Sequence, residues 1–258
     1  MSWPFADFNL FVLIAVRVLA MIEVAPLLSG QGVPQVAKVG LAGFAASMVF
    51  PAVKAAGYAM PNDGMAFGLL IVGEAMIGLV MGFFLSIVYS AFTTAGQFFS
   101  LQIGFGASEV YDPLAEVELP LMGQFLNLIA MLIFVSTQGF QKLFFIGVQG
   151  SFKAMRAVDL VGRRDDLIHF LLNATGALFQ QALILSLPIL GTLFIITVAM
   201  GLLSKAAPQM NLLTEGFPIT LTVTFFIMLS ALPFMMEAFS HLVEASFDDL
   251  GILVGGKL

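Results

Sequence analysis

Residues 96–123 read GQFFSLQIGFGASEVYDPLAEVELPLMG, a stretch punctuated by glycine and proline between two long apolar segments. It holds four acidic side chains, Glu109, Asp112, Glu116 and Glu118, and residues 55–141 contain no Lys or Arg. At membrane depth, backbone without helical hydrogen bonds is tolerated only where protein buries it or water reaches it. The stretch therefore predicts a cavity or pore, unless it is an extramembrane loop that joins two hairpins.

Composition places the chain in a membrane or a membrane complex. Of its 258 residues, 60% are hydrophobic and 10% are charged, and the mean hydropathy is +1.03, far outside the range of soluble proteins. The formal net charge of −6 argues against nucleic-acid binding, which requires a basic surface, and against docking on anionic lipid. Because the chain has no cysteine, disulfides and thiolate metal sites are excluded.

Hydropathy predicts an all-α fold of polytopic apolar helical hairpins with kinked or broken helices. A span needs about 20 apolar residues, and the six candidate segments are residues 8–28, 36–58, 64–93, 121–145, 177–204 and 215–236. The expected kinks or breaks lie at Pro51, Pro188, Gly191, Pro218 and Pro233. Asp165 and Asp166 are suited to the start of a new helix.

The segments outside the expected spans also carry information. The basic connector at residues 149–164 favours the cytoplasm, so a six-segment model places both termini there. The tail at residues 237–250 is amphipathic but acidic, and we expect it to dock on protein rather than on a membrane surface. The N-terminus lacks the basic region of a cleaved signal, and we expect it to be retained.

Three ionisable residues interrupt the apolar segments: Arg17, Glu23 and Glu74. Arg17 and Glu23 are six residues apart and cannot pair along one helix, in which neighbours are three or four residues apart. Each needs a partner from another helix or subunit, unless it snorkels to an interface. Glu74 is either a structural hydrogen-bonding group or a proton-relay carboxylate. No second intramembrane acid or histidine lies at helical spacing from it, which favours the structural role.

Small residues form a stripe along one face of the segment at residues 64–93. At 100° per residue, the members of this face are Gly64, Gly68, Ala75, Gly78, Gly82 and Ser86. Small side chains allow the backbone of another helix to approach closely. We therefore predict that Gly64, Gly68, Gly78 and Gly82 pack against a neighbouring subunit.

The sequence contains no pattern typical of an enzyme. His169 and His241 lie in different regions, outside any metal-ligand spacing, and no phosphate-binding loop or nucleophile motif occurs. The 15 methionines are dispersed among many segments, which favours ordinary helix packing over a soft-metal site or a deformable gasket. We expect a non-catalytic protein without cofactor or metal.

Several motifs resemble one known family. They are TAGQFFSLQIGFG (residues 94–106), YDP (111–113), ELP (118–120), RVLAMIEVAPLLSGQGVPQVAKVGLA (17–42) and GLLSKAAPQMNLLTEGFPITLTV (201–223). Together they resemble the R subunit of the bacterial flagellar and type III secretion export gate, the FliR/SctT family, in order along nearly the whole chain. The APQMN…GFP element within the last motif is the most specific of them.

The resemblance implies a channel component that assembles with P and Q subunits into a helically arranged, hetero-oligomeric gate. Unfolded secretion substrates would pass through this gate across the bacterial inner membrane, within the flagellar basal body. Other membrane proteins of the export apparatus would be further partners, and an ATPase and the proton-motive force would supply the energy. The motifs do not distinguish a flagellar system from an injectisome.

The resemblance also implies a division of the chain and a role for its central loop. Residues 1–148 form an N-terminal helical part, 149–174 a polar connector, and 175–258 a C-terminal hairpin with the tail. The loop at residues 104–123 would plug the pore through Phe105, Gly106, Val110, Tyr111, Asp112, Pro113 and Leu114. The family's plug is often rich in phenylalanine, whereas Phe105 and Tyr111 are the only aromatic residues of this loop.

Two other classes of function fit parts of the pattern. A secondary transporter would place a midplane site near Glu74 and the central loop, and would act as a purified chain alone. A purely structural scaffold would leave the acidic loop without a role. Co-purification with P and Q subunits distinguishes the export gate from both.

Overall fold

The computed structural model describes residues 3–30, 32–61, 63–104, 121–160, 162–207 and 212–255. The regular secondary structure of these residues is helical, without a strand. Four α-helices occupy its first half: α1 (Trp3–Val24), α2 (Gln35–Ala55), α3 (Gly64–Ile103) and α4 (Leu121–Ser136). Short elements follow: α5 (Gly139–Lys142), a π-helix (Leu143–Gly150), α6 (Ser151–Ala154) and a 3₁₀ turn (Ala157–Asp159). The longest helices come last: α7 (Arg164–Ala206) and α8 (Leu212–Gly255).

Several of these helices are long and apolar enough to cross a membrane. Within the described residues they are α2, α3, α7 and residues 216–253 of α8. A fifth candidate is the pair Leu121–Ser136 and Gly139–Gly150, which bends by 63° and counts if it forms one span. The six-segment expectation therefore reduces to five spans, because the first segment, which carries Arg17 and Glu23, is not among them, and to four if the bent pair is not one span.

Proline does not interrupt the long helices. α7 continues through Pro188 and Gly191, and α8 continues through Pro218 and Pro233, so the breaks predicted there are wrong. Proline removes a single backbone hydrogen bond, whereas ending a helix within hydrocarbon leaves several polar groups unsatisfied. The sharp bend lies instead at Gln138, whose φ is +58°.

The chain divides into two compact units. The first comprises Met1–Val88, Thr137–Thr175 and Val243–Leu258. Side chains of α1, α3 and the end of α8 form its core, among them Leu13, Ile14, Ile77, Met81 and Phe247. Glu244, on the exposed side of α8 here, lies 3.8 Å from Lys142, so the amphipathic tail docks at least partly on its own chain.

The second unit comprises Tyr89–Ser136 and Gly176–Leu242. The aromatic rings of Phe92 and Phe239 stack in its core with centroids 4.6 Å apart. The Tyr89 hydroxyl donates a hydrogen bond to the Asn127 carbonyl at 3.1 Å, which joins α3 to α4. These units are built from separate stretches of the chain. The division at residues 148/149 and 174/175, which follows the chain order, stays a prediction.

Candidate functional site

A buried ion pair joins α1 and α3 inside the first unit. Arg17 and Glu74 lie 57 positions apart in the sequence, and the Nε of Arg17 donates to Oε2 of Glu74 at 2.5 Å. Their side chains are 1% and 0% exposed. Since a buried charge without a partner is strongly destabilising, each residue needs the other as its partner there.

The remaining nitrogens of Arg17 hold the segment that follows the π-helix. Nη1 donates to the Ser151 hydroxyl oxygen and Nη2 to the Met155 carbonyl, both at 2.9 Å. The guanidinium also lies 3.9 Å from the ring centroid of Phe152. Ser151 in turn donates to the Val148 carbonyl at 2.9 Å. Arg17 of α1 therefore connects this helix both to α3 and to residues 148–155.

Glu74 also uses its second carboxylate oxygen. Oε1 accepts hydrogen bonds from the Tyr58 hydroxyl and, at 3.3 Å, from the Ala157 N–H. Burial first, and then the negative charge of Glu74, raise the pKa of Tyr58 well above its ordinary value, so the phenol keeps its proton and remains a donor in alkaline as well as in neutral solution. With both oxygens engaged and no exposure to solvent, Glu74 has the environment of a structural carboxylate.

Gly73 explains how Ala157 reaches the carboxylate. A Cβ on Gly73 would lie 2.7 Å from the Cβ of Ala157, so any larger residue would push the 3₁₀ turn away from α3. Glu74 comes next along the helix and receives the Ala157 N–H as a result. The sequence pattern did not identify Gly73, Tyr58 or Ser151 as members of this site. The one signal in the sequence that could have suggested Gly73 is its position next to Glu74.

Two glycines of the small-residue stripe on α3 pack against another helix of the same chain. A Cβ on Gly78 would lie 2.2 Å from the Arg17 carbonyl oxygen, and one on Gly82 would lie 2.6 Å from the Met21 carbonyl oxygen. Close backbone approach does occur at these two positions, but the neighbour is α1 of the same chain rather than another subunit. At Gly64 and Gly68 a Cβ would meet nothing within 4 Å. Packing against a subunit at these two positions stays a prediction.

A second ion pair fastens α1 to α2. Lys38 Nζ donates to Oε2 of Glu23 at 3.0 Å and to the Ser29 carbonyl at 3.3 Å. The Lys38 side chain is nearly buried, whereas Glu23 is 35% exposed. Glu23 thus pairs across the turn between the two helices, and not with Arg17.

The predicted plug residues lie outside the described residues, namely Phe105, Gly106, Val110, Tyr111, Asp112, Pro113 and Leu114. What the structure describes is the pair of helices that flank them. A Cβ on Gly96 of α3 would lie 2.8 Å from the Met122 carbonyl oxygen of α4, so these helices touch backbone to backbone. The two helices that flank the predicted plug therefore lie side by side near Gly96.

These features define a class of protein: a polytopic α-helical membrane protein stabilised by an internal ion pair. A model of the family described as bacterial export proteins, family 1, matches residues 8–246. The chain therefore belongs to this family, which contains the FliR/SctT export proteins.

Three relatives that match most of the chain share one name, flagellar biosynthetic protein FliR. The chain is 33% identical over 192 residues to the flagellar biosynthetic protein FliR of Borreliella burgdorferi, which covers 74% of this chain and 71% of that protein. It is 30% identical over 260 residues to the FliR of Escherichia coli K12, with 98% and 94% covered. The FliR of Bacillus subtilis is 28% identical over 225 residues, with 86% and 85% covered.

Proposed function

We propose that the chain is a non-catalytic channel subunit of the flagellar type III protein export gate. In this role it assembles with P and Q subunits in the bacterial inner membrane, within the flagellar basal body, and passes unfolded secretion substrates. The observation that carries the proposal is the family match over residues 8–246, together with relatives named as flagellar biosynthetic proteins over nearly the whole chain. The same names favour a flagellar system over an injectisome.

The length of the exposed apolar surfaces supports assembly with protein partners. On α8, exposed apolar side chains run from Phe217 to Ile252, about 53 Å at 1.5 Å per residue. On α7 they run from Ile168 to Leu203, again about 53 Å. The hydrocarbon core of a bilayer is only about 30 Å thick. Lipid alone cannot cover both ends of such helices unless they tilt steeply, so neighbouring subunits are the natural cover.

The alternative of a secondary transporter finds less support. Its expected midplane site lies near Glu74 and the central loop, and the two carboxylate oxygens of Glu74 already accept hydrogen bonds from Arg17, Tyr58 and the Ala157 N–H. A transporter carboxylate must bind and release its cargo ion or proton, which requires an accessible oxygen. Glu74 is 0% exposed.

The central loop at residues 104–123 completes the proposal as the plug of the pore. Its glycines and prolines oppose a continuous helix, and its four acids without a local base oppose burial in lipid. The two helices that flank it, α3 and α4, are in backbone contact at Gly96. In this proposal its apolar members seal the channel, while the acids keep it hydrated.

Co-expression tests the proposal. The chain, carrying an affinity tag, is produced with flagellar P and Q subunits in a strain that lacks its own R subunit. We expect P and Q to co-purify with it, and flagellar substrates to reach the medium. Injectisome P and Q subunits serve as the matched control and should be recovered less well. Failure to recover flagellar P and Q, combined with solute uptake by vesicles containing the chain alone, would establish the transporter instead.

A further inference from the structure

A cavity of about 250 Å³ lies in the first unit, enclosed by α1, α2 and residues 140–148. α1 contributes Met21 and Ile22, α2 contributes Leu41 and Ala45, and the bent helix contributes Phe140 and Val148. Every residue that lines it is apolar. Water needs two to four polar partners in order to remain in a buried site, and this lining offers none from its side chains.

Unusual backbone conformations surround this cavity. Leu27 has a φ of +67°, in the left-handed region that disfavours a branched side chain, and it directly precedes Leu28, which lines the cavity. Gln138 has a φ of +58° and lies two residues before Phe140. Such conformations cluster at binding and switch sites.

The π-helix Leu143–Gly150 provides the third deviation. It carries Leu143, Phe144 and Val148 into the lining. π-helical stretches are rare and frequently mark functional sites, because they shift side chains away from ordinary α-helical positions. Each of these three departures from regular backbone therefore contains a lining residue or lies within two residues of one along the chain.

The cavity has a closed floor and an open rim. Met21 and Val148 are each 2% exposed, whereas Leu41 and Phe140 are 44% and 39% exposed. Leu41 belongs to the candidate span α2, and Phe140 to the bent pair that is the fifth candidate. The opening therefore faces the surroundings of membrane-spanning helices, where hydrocarbon chains are abundant.

An ion pair lies close to the cavity lining along the chain. Glu23 follows the lining residue Ile22 along α1, and Lys38 precedes the rim residue Leu41 by about one turn of α2. These two charges pair with each other, and the Glu23 side chain is 35% exposed, whereas that of Lys38 is nearly buried. An apolar cavity with a partly exposed charged group nearby along the chain matches the two parts of an amphiphile.

We propose that this cavity binds one acyl chain of a membrane lipid, with the lipid headgroup beside Glu23 and Lys38. An apolar cavity of about 150 Å³ is already sufficient for a benzene molecule, and this one is larger and open at one side. The bound chain fills the space between α1, α2 and the π-helix and becomes part of the packing of the first unit. This inference does not depend on the export function.

Photolabelling of the full-length chain tests the proposal. The chain is reconstituted in vesicles of phosphatidylethanolamine and phosphatidylglycerol that carry a diazirine on one acyl chain, and labelled peptides are mapped by mass spectrometry. We expect label to concentrate in residues 18–28 and 140–148. Ala45→Phe fills part of the cavity and should lower the label there roughly tenfold, as expected for the loss of space for about two methylenes. Ala52→Phe, on an exposed position of the same helix, is the matched control and should leave the label unchanged.

A second variant covers the case in which Ala45→Phe does not fold. Leu28→Ala enlarges the cavity from the turn, and it should retain or increase the label at residues 140–148. Three results would overturn the proposal: equal labelling of Ala45→Phe and Ala52→Phe, loss of label in a folded Leu28→Ala variant, or a photo-crosslinker at Leu41 that captures a partner subunit instead of lipid in the assembled complex.

Discussion

Replacement of Arg17 by methionine should destabilise the chain severely, because it leaves Glu74 charged and buried. The substitution removes the donations to Glu74, Ser151 and the Met155 carbonyl, which are 2.5, 2.9 and 2.9 Å long. Removing one partner of a buried ion pair costs about 3 to 5 kcal/mol. That is a large share of the roughly 5 to 15 kcal/mol that holds a typical protein folded.

A double-mutant cycle separates the pair from its surroundings. Glu74→Gln alone should cost a similar amount, because it strands the Arg17 charge. The glutamine carbonyl can still accept from Tyr58 and from the Ala157 N–H, and methionine fills much of the volume of arginine. The double variant Arg17→Met with Glu74→Gln should therefore be more stable than either single variant, with a coupling of about 2 kcal/mol or more.

Thermal unfolding of the detergent-purified chain measures these differences. At roughly 2 to 4 °C per kcal/mol, each single variant should lose on the order of 10 °C in Tm, and the double variant should recover a large part. Lys54→Met is the control, because its ion pair with Asp7, although 2.6 Å long, is 45% and 41% exposed and should contribute less than about 1 kcal/mol. A double variant no more stable than the worse single variant would refute the reasoning.

Three further predictions follow from the structure and the sequence. Gly78→Ala should prevent the close packing of α1 on α3, since its Cβ would lie 2.2 Å from the Arg17 carbonyl oxygen, whereas Gly68→Ala, in open space, should be tolerated; the yield of monodisperse protein measures both. Burial and Glu74 raise the pKa of Tyr58 in the folded state. The contribution of Tyr58 to the free energy of unfolding should therefore be fully present below about pH 10 and decrease above it. Thermal unfolding against pH should show a shallower alkaline decline in Tyr58→Phe. Deletion of residues 107–118 should give a complex that assembles but leaks small ions, and an assembled complex as tight as wild type in conductance would contradict the plug assignment.

The sequence predicted which segments are apolar helices more accurately than where the helices end. α3 was expected to stop before Gly96, but it continues to Ile103. The glycine does not break the helix: it allows the backbone of α4 to approach near Met122. A single sequence shows that a residue is small, but it does not show whether a turn or a close contact requires it.

The candidate site was only partly predictable for a related reason. The six-residue spacing of Arg17 and Glu23 excluded a pair along one helix and required other partners, and the structure supplies Glu74 and Lys38. Which residues these would be depends on contacts across 57 and 15 positions, which helical periodicity does not encode. The bend lies at Gln138, which is neither asparagine nor glycine, the residues that favour a positive φ. The only local sequence signal for the bend is the following Gly139.

The long sequence separations within the ion-pair cluster impose an order on the synthesis of the chain. Arg17 is made 57 residues before Glu74 and 134 residues before Ser151. At about 5 to 20 residues per second, the arginine waits about 3 to 11 s for its carboxylate and about 7 to 27 s for the serine. During this interval the guanidinium lacks the partners that it has in the folded chain, and burying a charge without a partner is costly. The packing of α1 against α3 around Arg17 can therefore be completed only after the third helix has been synthesised.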